Sequence, residues 1–289
     1  MANEVATTTK KATGLKAFNQ AITNPSTQKY LADVLGERKG SFVNNLTALV
    51  ANNALLHDCE PYTIMFAGMK ATALNLPLDN SLGFAYVLPY KDNKRGITVA
   101  QFQLGYKGVK QLALRSGQFA TIPNATDVRE GELISRNRLT GECKFNFVDD
   151  VEEREKLPII GFVSYFKLLN GAESTFYMSM KEMEKHALRY SQTYRSTNPK
   201  VKAASKWSTD FNDMACKTVV KLNLSKNAPL SVEMADAIKA DQAVMYKQDE
   251  YSYLDNEQQE IDMAAAQQVA DKFNDFTPAD DVTNENESK

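Results

Sequence analysis

The sequence has 289 residues, of which 43% are hydrophobic, and a chain of this kind can bury one large core with extensions. It contains no run of about 18 apolar residues and no charged-then-apolar leader, so we expect no membrane span, no secretory signal and a cytoplasmic location. Three scattered cysteines and two isolated histidines argue against a disulfide framework and a zinc site. We therefore expect no bound metal and no cofactor.

The formal net charge of −2 conceals two opposite parts of the chain. Residues 249–289 hold twelve Asp and Glu against two Lys, a net charge of −10, which leaves +8 on residues 1–248. Phosphate neutralisation supplies most of the sequence-independent affinity for nucleic acid, so the basic part suits a polyanionic ligand. Any single lysine can still belong to an ordinary solvated face. The acidic part has the composition of an interaction arm.

The amino-terminal quarter of the chain is predicted to be a helical lobe. Residues 1–13 lack periodicity and are interpreted as a disordered arm. Apolar periodicity and breaks at Asn24-Pro25 and Pro61 predict the helices that follow. They cover residues 15–35 with that break, 41–53 with Ser41 as N-cap, and 61–75.

Residues 76–118 are the centre of the predicted fold. Alternating apolar residues predict a β-hairpin with a polar turn at residues 91–95. The alternating sets are Phe84, Tyr86 and Leu88 on the outgoing strand and Thr98, Ala100, Phe102 and Leu104 on the return strand. A helix is expected directly afterwards, with Val109, Leu112 and Ala113 at core spacing and Gly117 as its stop.

The junction Gly105-Tyr106-Lys107-Gly108 joins this hairpin to the helix. Lys107 and Lys110 lie one turn apart near the helix N-terminus, where free backbone N–H groups favour a phosphate, so the junction is a candidate anion site. Alternatively, the glycines ease the turn and the lysines form a solvated face. The close backbone approach that Gly105 and Gly108 permit could serve either a ligand or the neighbouring strand.

The next part of the chain is predicted to add sheet and another helix. Residues 119–128 and 142–148 have strand character, with a polar loop between them that holds Arg129, Arg136, Arg138 and Gly141. Asn170-Gly171 predicts a hairpin turn, and Ser179 with Glu182 forms a capping box that starts a helix. This order predicts an α+β fold: an antiparallel sheet with hairpins packed against helices, a helical amino-terminal lobe and a disordered acidic C-terminal tail.

Residues 181–226 form a basic segment with ten Lys or Arg against four Asp or Glu. Residues 190–207 are rich in Ser and Thr and are expected to lack regular structure. A helix is predicted from about Ser208 until Asn227-Ala228-Pro229, with Lys217 and Lys221 one turn apart on one face. Its predicted apolar stripe is Phe211, Met214, Ala215, Thr218, Val219 and Leu222. Trp207 could be a hydrophobic anchor at the helix entry or a base contact.

Enzymatic alternatives find little support in the motifs. No G-x-x-x-x-G-K-S/T phosphate loop occurs, so an ATP-driven recombinase is not expected. Four carboxylates in the run VDDVEEREK could hold magnesium in a nuclease, but this run is typical of a solvated loop; they are Asp149, Asp150, Glu152 and Glu153. No Ser, His and Asp set has a recognisable motif context. We therefore expect a protein that is not an enzyme.

Two blocks of the sequence resemble the RecT family of phage single-strand annealing proteins. The first matches the patterns "P-L-x-x-S-L-G-x-A-Y-x-x-P-Y", "Q-F-Q-x-G-Y-K-G" and "A-L-R-S-G" at Leu78, Ser81, Leu82, Gly83, Ala85, Tyr86, Pro89, Tyr90, residues 101–108 and residues 113–117. The second covers residues 177–231. The resemblance implies an ATP-independent homo-oligomer, a ring or a helical filament, that coats single-stranded DNA and promotes its pairing to an annealed duplex in recombination and repair.

From the distribution of basic residues we further predict a DNA groove between the central helix and the basic segment. The candidate phosphate ligands are Lys107, Lys110, Arg115, Arg189, Arg195, Lys202, Lys206, Lys217 and Lys221. Tyr106, Tyr190 and Tyr194 are candidates for stacking on bases or for a wedge between them, and Gly105 and Gly108 complete the predicted set. Alternatives from other classes are a single-strand binding protein without annealing activity and a magnesium-dependent nuclease.

The resulting domain prediction has two parts. Residues 1–248 form the DNA-binding, annealing and oligomerisation core, with a helical lobe over 1–75 and an α+β part over 76–248. Residues 249–289 form an acidic tail that recruits a partner, with a short amphipathic helix predicted over 261–273. The family setting implies the companion phage exonuclease or the host single-strand binding protein as this partner. The alternative is a solubilising tail without a partner.

Overall fold

The computed structural model describes residues 14–248 and 250–254. The predicted amino-terminal arm and the helix predicted over residues 261–273 lie outside the described residues. The chain divides into two units, residues 1–252 and 253–289. Across the described ranges, no helix is both long and apolar enough to cross a membrane.

The first unit is built from helices and antiparallel strands, with four of the described helices preceding the first strand. The helices are α1 (Leu15–Thr23), α2 (Pro25–Leu35), α3 (Lys39–Ala51), α4 (Pro61–Ala73), α5 (Tyr106–Arg115), α6 (Val151–Lys156), α7 (Met180–Tyr190), α8 (Pro199–Ala203), α9 (Lys206–Thr209), α10 (Phe211–Asn227) and α11 (Val232–Ala240). The strands are β1 (Ala85–Asp92), β2 (Ile97–Leu104), β3 (Asn124–Arg129), β4 (Leu133–Arg136), β5 (Cys143–Phe145), β6 (Ile159–Lys167), β7 (Glu173–Ser179), β8 (Ala243–Lys247) and β9 (Glu250–Ser252). The predicted α+β class is confirmed.

The amino-terminal helices pack through a small-residue contact between α3 and α4. Asn24 caps α2 by accepting the Ser26 N–H, as expected for a helix that begins with proline. Gly68 of α4 lies against the buried side chains of Phe42 and Leu46 on α3. The prediction of Ser41 as an N-cap is wrong, because a 3-10 turn at 36–38 runs straight into α3 and leaves Ser41 inside the helix.

The first sheet has the strand order β1-β2-β8-β9 and all its pairs are antiparallel. The hairpin prediction is confirmed, but its core face is formed by Ala85 and Val87, which lie opposite Leu104 and Phe102. The predicted set of Phe84, Tyr86 and Leu88 alternates on the other, more exposed face. Helix α4 covers the sheet, and Thr63 Oγ1 on α4 accepts the Ala100 N–H at 2.8 Å.

The second sheet has the strand order β3-β6-β7 and is covered on both faces. The β6–β7 hairpin and its Asn170-Gly171 turn are as predicted, with Gly171 at a φ of 88°. Helices α7 and α10 pack on the face that carries Phe162. The β4–β5 hairpin packs on the opposite face against Val128, Val163 and Tyr177. This sheet is the platform on which the basic segment is mounted.

Four stretches differ from the sequence-based interpretation. The polar loop before Gly141 contains β4, and the charged run VDDVEEREK contains α6, whose N-cap is Asp150. Residues 190–207, expected to be irregular, contain α8 and the start of α9. Helix α11 and strands β8 and β9 were not predicted. Because β9 pairs with β8, the first unit continues beyond residue 248 to Ser252.

Candidate nucleic-acid interface

Gly105 and Gly108 are explained by close packing between α5 and the entry to β1. The Gly105 N–H donates to the Phe84 carbonyl oxygen at 2.9 Å. A Cβ atom at Gly105 would overlap the carbonyl oxygen of Gly83, and one at Gly108 would overlap that of Phe84. Only glycine allows this approach, since the obstructing atoms belong to the backbone. Of the two explanations offered by the sequence, the structure favours the neighbouring strand over a ligand.

The amino end of α5 carries the lysines of the predicted anion site. Lys107 is exposed, and Lys110 is half-buried with its Nζ donating to the Tyr106 hydroxyl at 3.1 Å. The Lys110 ammonium also lies 5.0 Å from the centre of the Tyr106 ring. Tyr106 itself packs against the main hydrophobic core. Its ring therefore orients Lys110 and is partly used in packing.

Arg115, at the other end of α5, bonds to the end of α4. Its guanidinium donates to the carbonyl oxygens of Leu74 at 3.1 Å and Asn75 at 3.0 Å. These carbonyl groups lack helical partners and lie at the negative end of the α4 dipole, where an arginine is favourable. The structure gives Arg115 a role in fastening α5 to α4, so it is dropped from the phosphate-ligand candidates.

Lys221 is turned into the fold and joins α10 to the β2–α5 junction. Its Nζ donates to the Leu104 carbonyl oxygen at 2.9 Å and pairs with the Asp241 carboxylate at 2.7 Å. The same carboxylate accepts the Leu104 N–H at 2.8 Å. Because its charge is matched internally, Lys221 is also dropped. The contact places α10 directly beside α5, so the two predicted parts of the interface are adjacent.

Lys217 lies one turn earlier on α10 and is more exposed than Lys221. Its side chain is 41% exposed and pairs with Asp213 on the same helix. Pairs of this kind between exposed residues contribute little to stability and exchange easily for other partners. Lys217 therefore stays a candidate for phosphate contact.

The carboxyl end of α7 presents an exposed aromatic ring beside a cation. Tyr190 is 39% exposed, and the Arg189 guanidinium lies 5.3 Å from the centre of its ring. His186, one turn earlier, lies 4.5 Å from Tyr190 between ring centres. Trp207 is only 7% exposed and packs with Met183 beneath these residues. The anchor interpretation of Trp207 is therefore correct.

Residues 191–206 carry further cations over the same hydrophobic cluster. Tyr194 is half-buried, 6.4 Å from Trp207 between ring centres, and the Lys202 ammonium lies 5.5 Å from the Tyr194 ring. Arg195 donates to the Arg189 carbonyl oxygen at 3.2 Å, at the end of α7. Lys206 is exposed and pairs with Asp210 at 3.0 Å. We call α7, residues 191–206 and α10 together the α7–α10 surface.

His186 is a partly buried histidine with cations close to it, and both features affect its pKa. This pKa is lowered to about 4, first by burial and then by the cations Lys221, Lys226 and Arg189. These cations lie on both α7 and α10, so His186 is close to positive charges from both helices. Lys226 was not singled out by sequence reasoning, although its place in the basic segment could have identified it; its ammonium lies 5.4 Å from the Phe176 ring.

The carboxylates considered for a nuclease do not gather with other ligand types. Asp150 caps α6 by accepting the Glu153 N–H at 2.9 Å, and Asp149, Glu152 and Glu153 are exposed. In the part of the chain that the structure describes, no group of three or more His, Cys, Asp or Glu residues is placed to hold a metal ion.

The fold and this interface define an α+β protein whose surface combines cations with accessible aromatic rings, the combination that single-stranded nucleic acids favour. A family model described as the RecT family matches residues 40–262. The chain is 38% identical over 217 residues to the uncharacterized protein YqaK of Bacillus subtilis, covering 75% of this chain and 69% of that protein. It is 28% identical over 257 residues to Protein RecT of Escherichia coli K12, and this match covers 82% of this chain and 88% of that protein.

The chain therefore belongs to the RecT family. Proteins of this family are DNA-binding, single-strand annealing proteins associated with recombination. The resemblance stated from the two sequence blocks is confirmed.

Proposed function

We propose that this chain is an ATP-independent homo-oligomer that coats single-stranded DNA and promotes its pairing with a complementary strand. The observation that carries the proposal is the α7–α10 surface, where exposed cations surround Tyr190 and Tyr194. A basic strip can hold a sugar–phosphate backbone without reading its sequence. Stacking on tyrosine is likewise tolerant of sequence, because every base has a π-face.

The proposed phosphate contacts are those candidates whose charge remains at the surface. The proposed set is Lys107, Lys110, Arg189, Arg195, Lys202, Lys206 and Lys217, with Tyr190 and Tyr194 as stacking residues. Lys107 and Lys110 join the set because Lys221 fixes α10 beside the β2–α5 junction. With phosphates held in this way, the base edges remain open to a second strand. Base pairing itself then tests complementarity, and the protein needs no nucleotide hydrolysis.

We also propose that residues 249–289 recruit a protein and do not take part in DNA binding. Their net charge of −10 repels the phosphates that the basic part attracts. A companion phage exonuclease or a host single-strand binding protein is the proposed partner. Because β9 belongs to the first sheet, the test removes only residues 253–289. Truncation after Ser252 should leave annealing by the purified protein intact and reduce recombination in cells. Loss of annealing with preserved folding and oligomer size would contradict this division.

The central test compares cations on and off the α7–α10 surface. Arg189→Gln and Lys202→Gln should each weaken binding to an unstructured oligonucleotide and reduce the slope of log affinity against log salt by about 0.7. Lys29→Gln, on the exposed side of α2, is the matched control and should change neither. Equal behaviour of all three variants would show that the surface is wrongly placed.

A second measurement separates annealing from simple binding. Complementary oligonucleotides, one labelled with a donor and one with an acceptor fluorophore, should pair faster with the protein than without it, in the absence of ATP. A single-strand binding protein without annealing activity would bind both strands and leave the pairing rate unchanged or lower.

A further inference from the structure

The turn between β4 and β5 exposes an apolar side chain to solvent, and hydrogen bonds within the turn fix the position of that side chain. Leu139 is 94% exposed, more than any other large apolar side chain in the described part of the molecule. The turn is ordered, since the Asn137 carboxamide oxygen accepts the N–H groups of Leu139 at 2.9 Å and Thr140 at 3.2 Å. Gly141 closes it with a φ of 77°. The local hydrogen bonds thus hold Leu139 at the tip.

The hairpin that carries this turn is fixed to the rest of the fold. Leu133 and Phe145 pack against the second sheet. Glu132, immediately before β4, is fully buried and accepts the Arg154 Nε–H at 2.6 Å and the Val148 N–H at 3.2 Å. A charged group buried with this many partners holds its surroundings in one arrangement. The tip can therefore press against a ligand without folding away.

The two arginines of the turn have different environments. Arg136 lies over the Tyr177 ring at 5.3 Å and pairs with Glu182 at 3.6 Å. Arg138 is exposed, and none of the described residues bonds to it. Arg138 therefore offers a phosphate a full set of donors directly beside Leu139.

An open cleft connects this turn with the α7–α10 surface. The cleft measures about 940 Å³ and extends from Arg138 past Phe176 to Asn227 at the end of α10. Lys226, the neighbour of Asn227, lies over the Phe176 ring. The carboxylates along the cleft are balanced locally: Glu142 by Lys144, Glu173 by Lys167 and Glu182 by Arg136. A polyanion on α10 could thus continue under the turn.

We propose that the β4–β5 turn is a second contact with the bound strand, in which Arg138 binds a phosphate and Leu139 enters between neighbouring bases. The inference rests on the proposed function and adds the residue that opens the base stack. Apolar side chains act as such wedges elsewhere, where they offset part of the cost of unstacking. Opening the stack removes self-structure from the strand and exposes base edges for pairing.

The test uses the full chain and an oligonucleotide with one 2-aminopurine, whose fluorescence rises when it is unstacked. Leu139→Ser should lose most of the fluorescence increase and slow annealing of a self-structured oligonucleotide by about tenfold, equivalent to about 1.4 kcal/mol. Leu169→Ser is the matched control, because Leu169 is 70% exposed beside the turn between β6 and β7. Arg138→Gln should reduce the salt slope of binding by about 0.7.

The outcomes separate this inference from the proposed function. If the wild type anneals DNA while Leu139→Ser and Leu169→Ser give the same 2-aminopurine fluorescence and the same annealing rate, Leu139 is not a wedge and the annealing proposal stands. If Leu139→Ser leaves the 2-aminopurine signal unchanged but alters the sedimenting species, Leu139 is a contact with another protein chain and the inference is overturned. If the wild type neither binds nor anneals the oligonucleotides, both proposals are wrong.

Discussion

The β2–α5 junction and the α7–α10 surface contain the same types of residue and use them differently. At the junction, Gly108 packs against the Phe84 carbonyl oxygen, and Arg115 at the other end of α5 donates to backbone carbonyl groups. On the surface, Arg189 lies beside the exposed Tyr190 and Lys202 beside Tyr194. Positive charge in a sequence is thus most available to a ligand where the fold leaves the cation at the surface, with partners that are themselves exposed.

The largest effect is expected from Gly108→Ala at the junction. The added Cβ would overlap the Phe84 carbonyl oxygen, and a backbone atom in a paired segment has little freedom to withdraw. We expect a loss of roughly 3 kcal/mol in the free energy of unfolding, measured by urea denaturation.

Gly40→Ala supplies the matched control for that experiment. Gly40 lies within α3, and no atom beyond its chain neighbours and the nearby backbone of its own helix lies within 4 Å of the added Cβ. This change should stabilise the protein by up to about 1 kcal/mol, because alanine favours helix. A Gly108→Ala variant that keeps its stability and loses DNA binding would show that Gly108 lies at a ligand site. The contrast between the junction and the α7–α10 surface would then be wrong for the junction.

Two lysines on α10 sharpen the comparison within a single helix. Lys221→Met should cost about 2 kcal/mol, because Asp241 and the Leu104 carbonyl group lose a charged partner in a partly buried place. Lys217→Met should cost less than about 0.5 kcal/mol, because its pair with Asp213 is exposed. The effects on DNA binding should have the opposite order: Lys217→Met should weaken binding more than Lys221→Met and should reduce the slope of log affinity against log salt by about 0.7. Thermal unfolding measures the effects on stability, and the salt dependence of affinity measures the effects on DNA binding. A loss of DNA binding that occurs only in Lys221→Met would contradict this prediction.

The sequence predicted most local structure of the first unit and less of its interface. Hairpin turns and helix ends have local chemistry, so Asn170-Gly171 and the capping box at Ser179 were found correctly. The partner of a long side chain depends on chain segments far away. Lys221 meets a carbonyl group 117 positions earlier in the sequence, which no local pattern reveals.

Short or late elements escaped prediction for related reasons. Strands β8 and β9 have few residues, and they become strands because β2 offers an unpaired edge after the chain returns. The alternating apolar set predicted for the outgoing strand contains the larger residues Tyr86 and Leu88, whereas close packing against α4 and the facing residues of β2 places Ala85 and Val87 on the core face. The space available between β1 and its neighbours, more than hydrophobicity, therefore determines which side of β1 faces the core.

A smaller effect is expected at Tyr190, which tests whether exposure makes the surface functional. Tyr190→Leu keeps apolar bulk but loses the ring, so affinity for single-stranded DNA should fall about tenfold with little change in stability. Tyr62→Leu is the matched control, since Tyr62 is also 39% exposed but lies at the start of α4. Fluorescence anisotropy of a labelled oligonucleotide measures the DNA affinity of both variants. Equal affinity of the two variants would show that Tyr190 does not stack.

The smallest effect concerns His186, whose pKa links the surface to pH. Burial and the cations Lys221, Lys226 and Arg189 lower this pKa from 6.5 to about 4. The unfolded chain therefore binds a proton between these values that the folded chain does not, and stability must rise with pH there. Its contribution is fully present above pH 6.5 and is lost as the pH falls towards 4.

His186→Gln should therefore flatten the dependence of unfolding free energy on pH between 6.5 and 5.5, where the wild type should lose about 1 kcal/mol. This interval avoids most carboxylate titration. A phosphate bound beside Arg189 or Lys226 would offset part of the positive field, so single-stranded DNA should raise the pKa of His186, as followed by NMR of its ring protons. Burial would keep the pKa below its ordinary value even then. If DNA binds tightly and leaves that pKa unchanged, the phosphates do not lie near these cations, and the α7–α10 surface must be redrawn away from the end of α7.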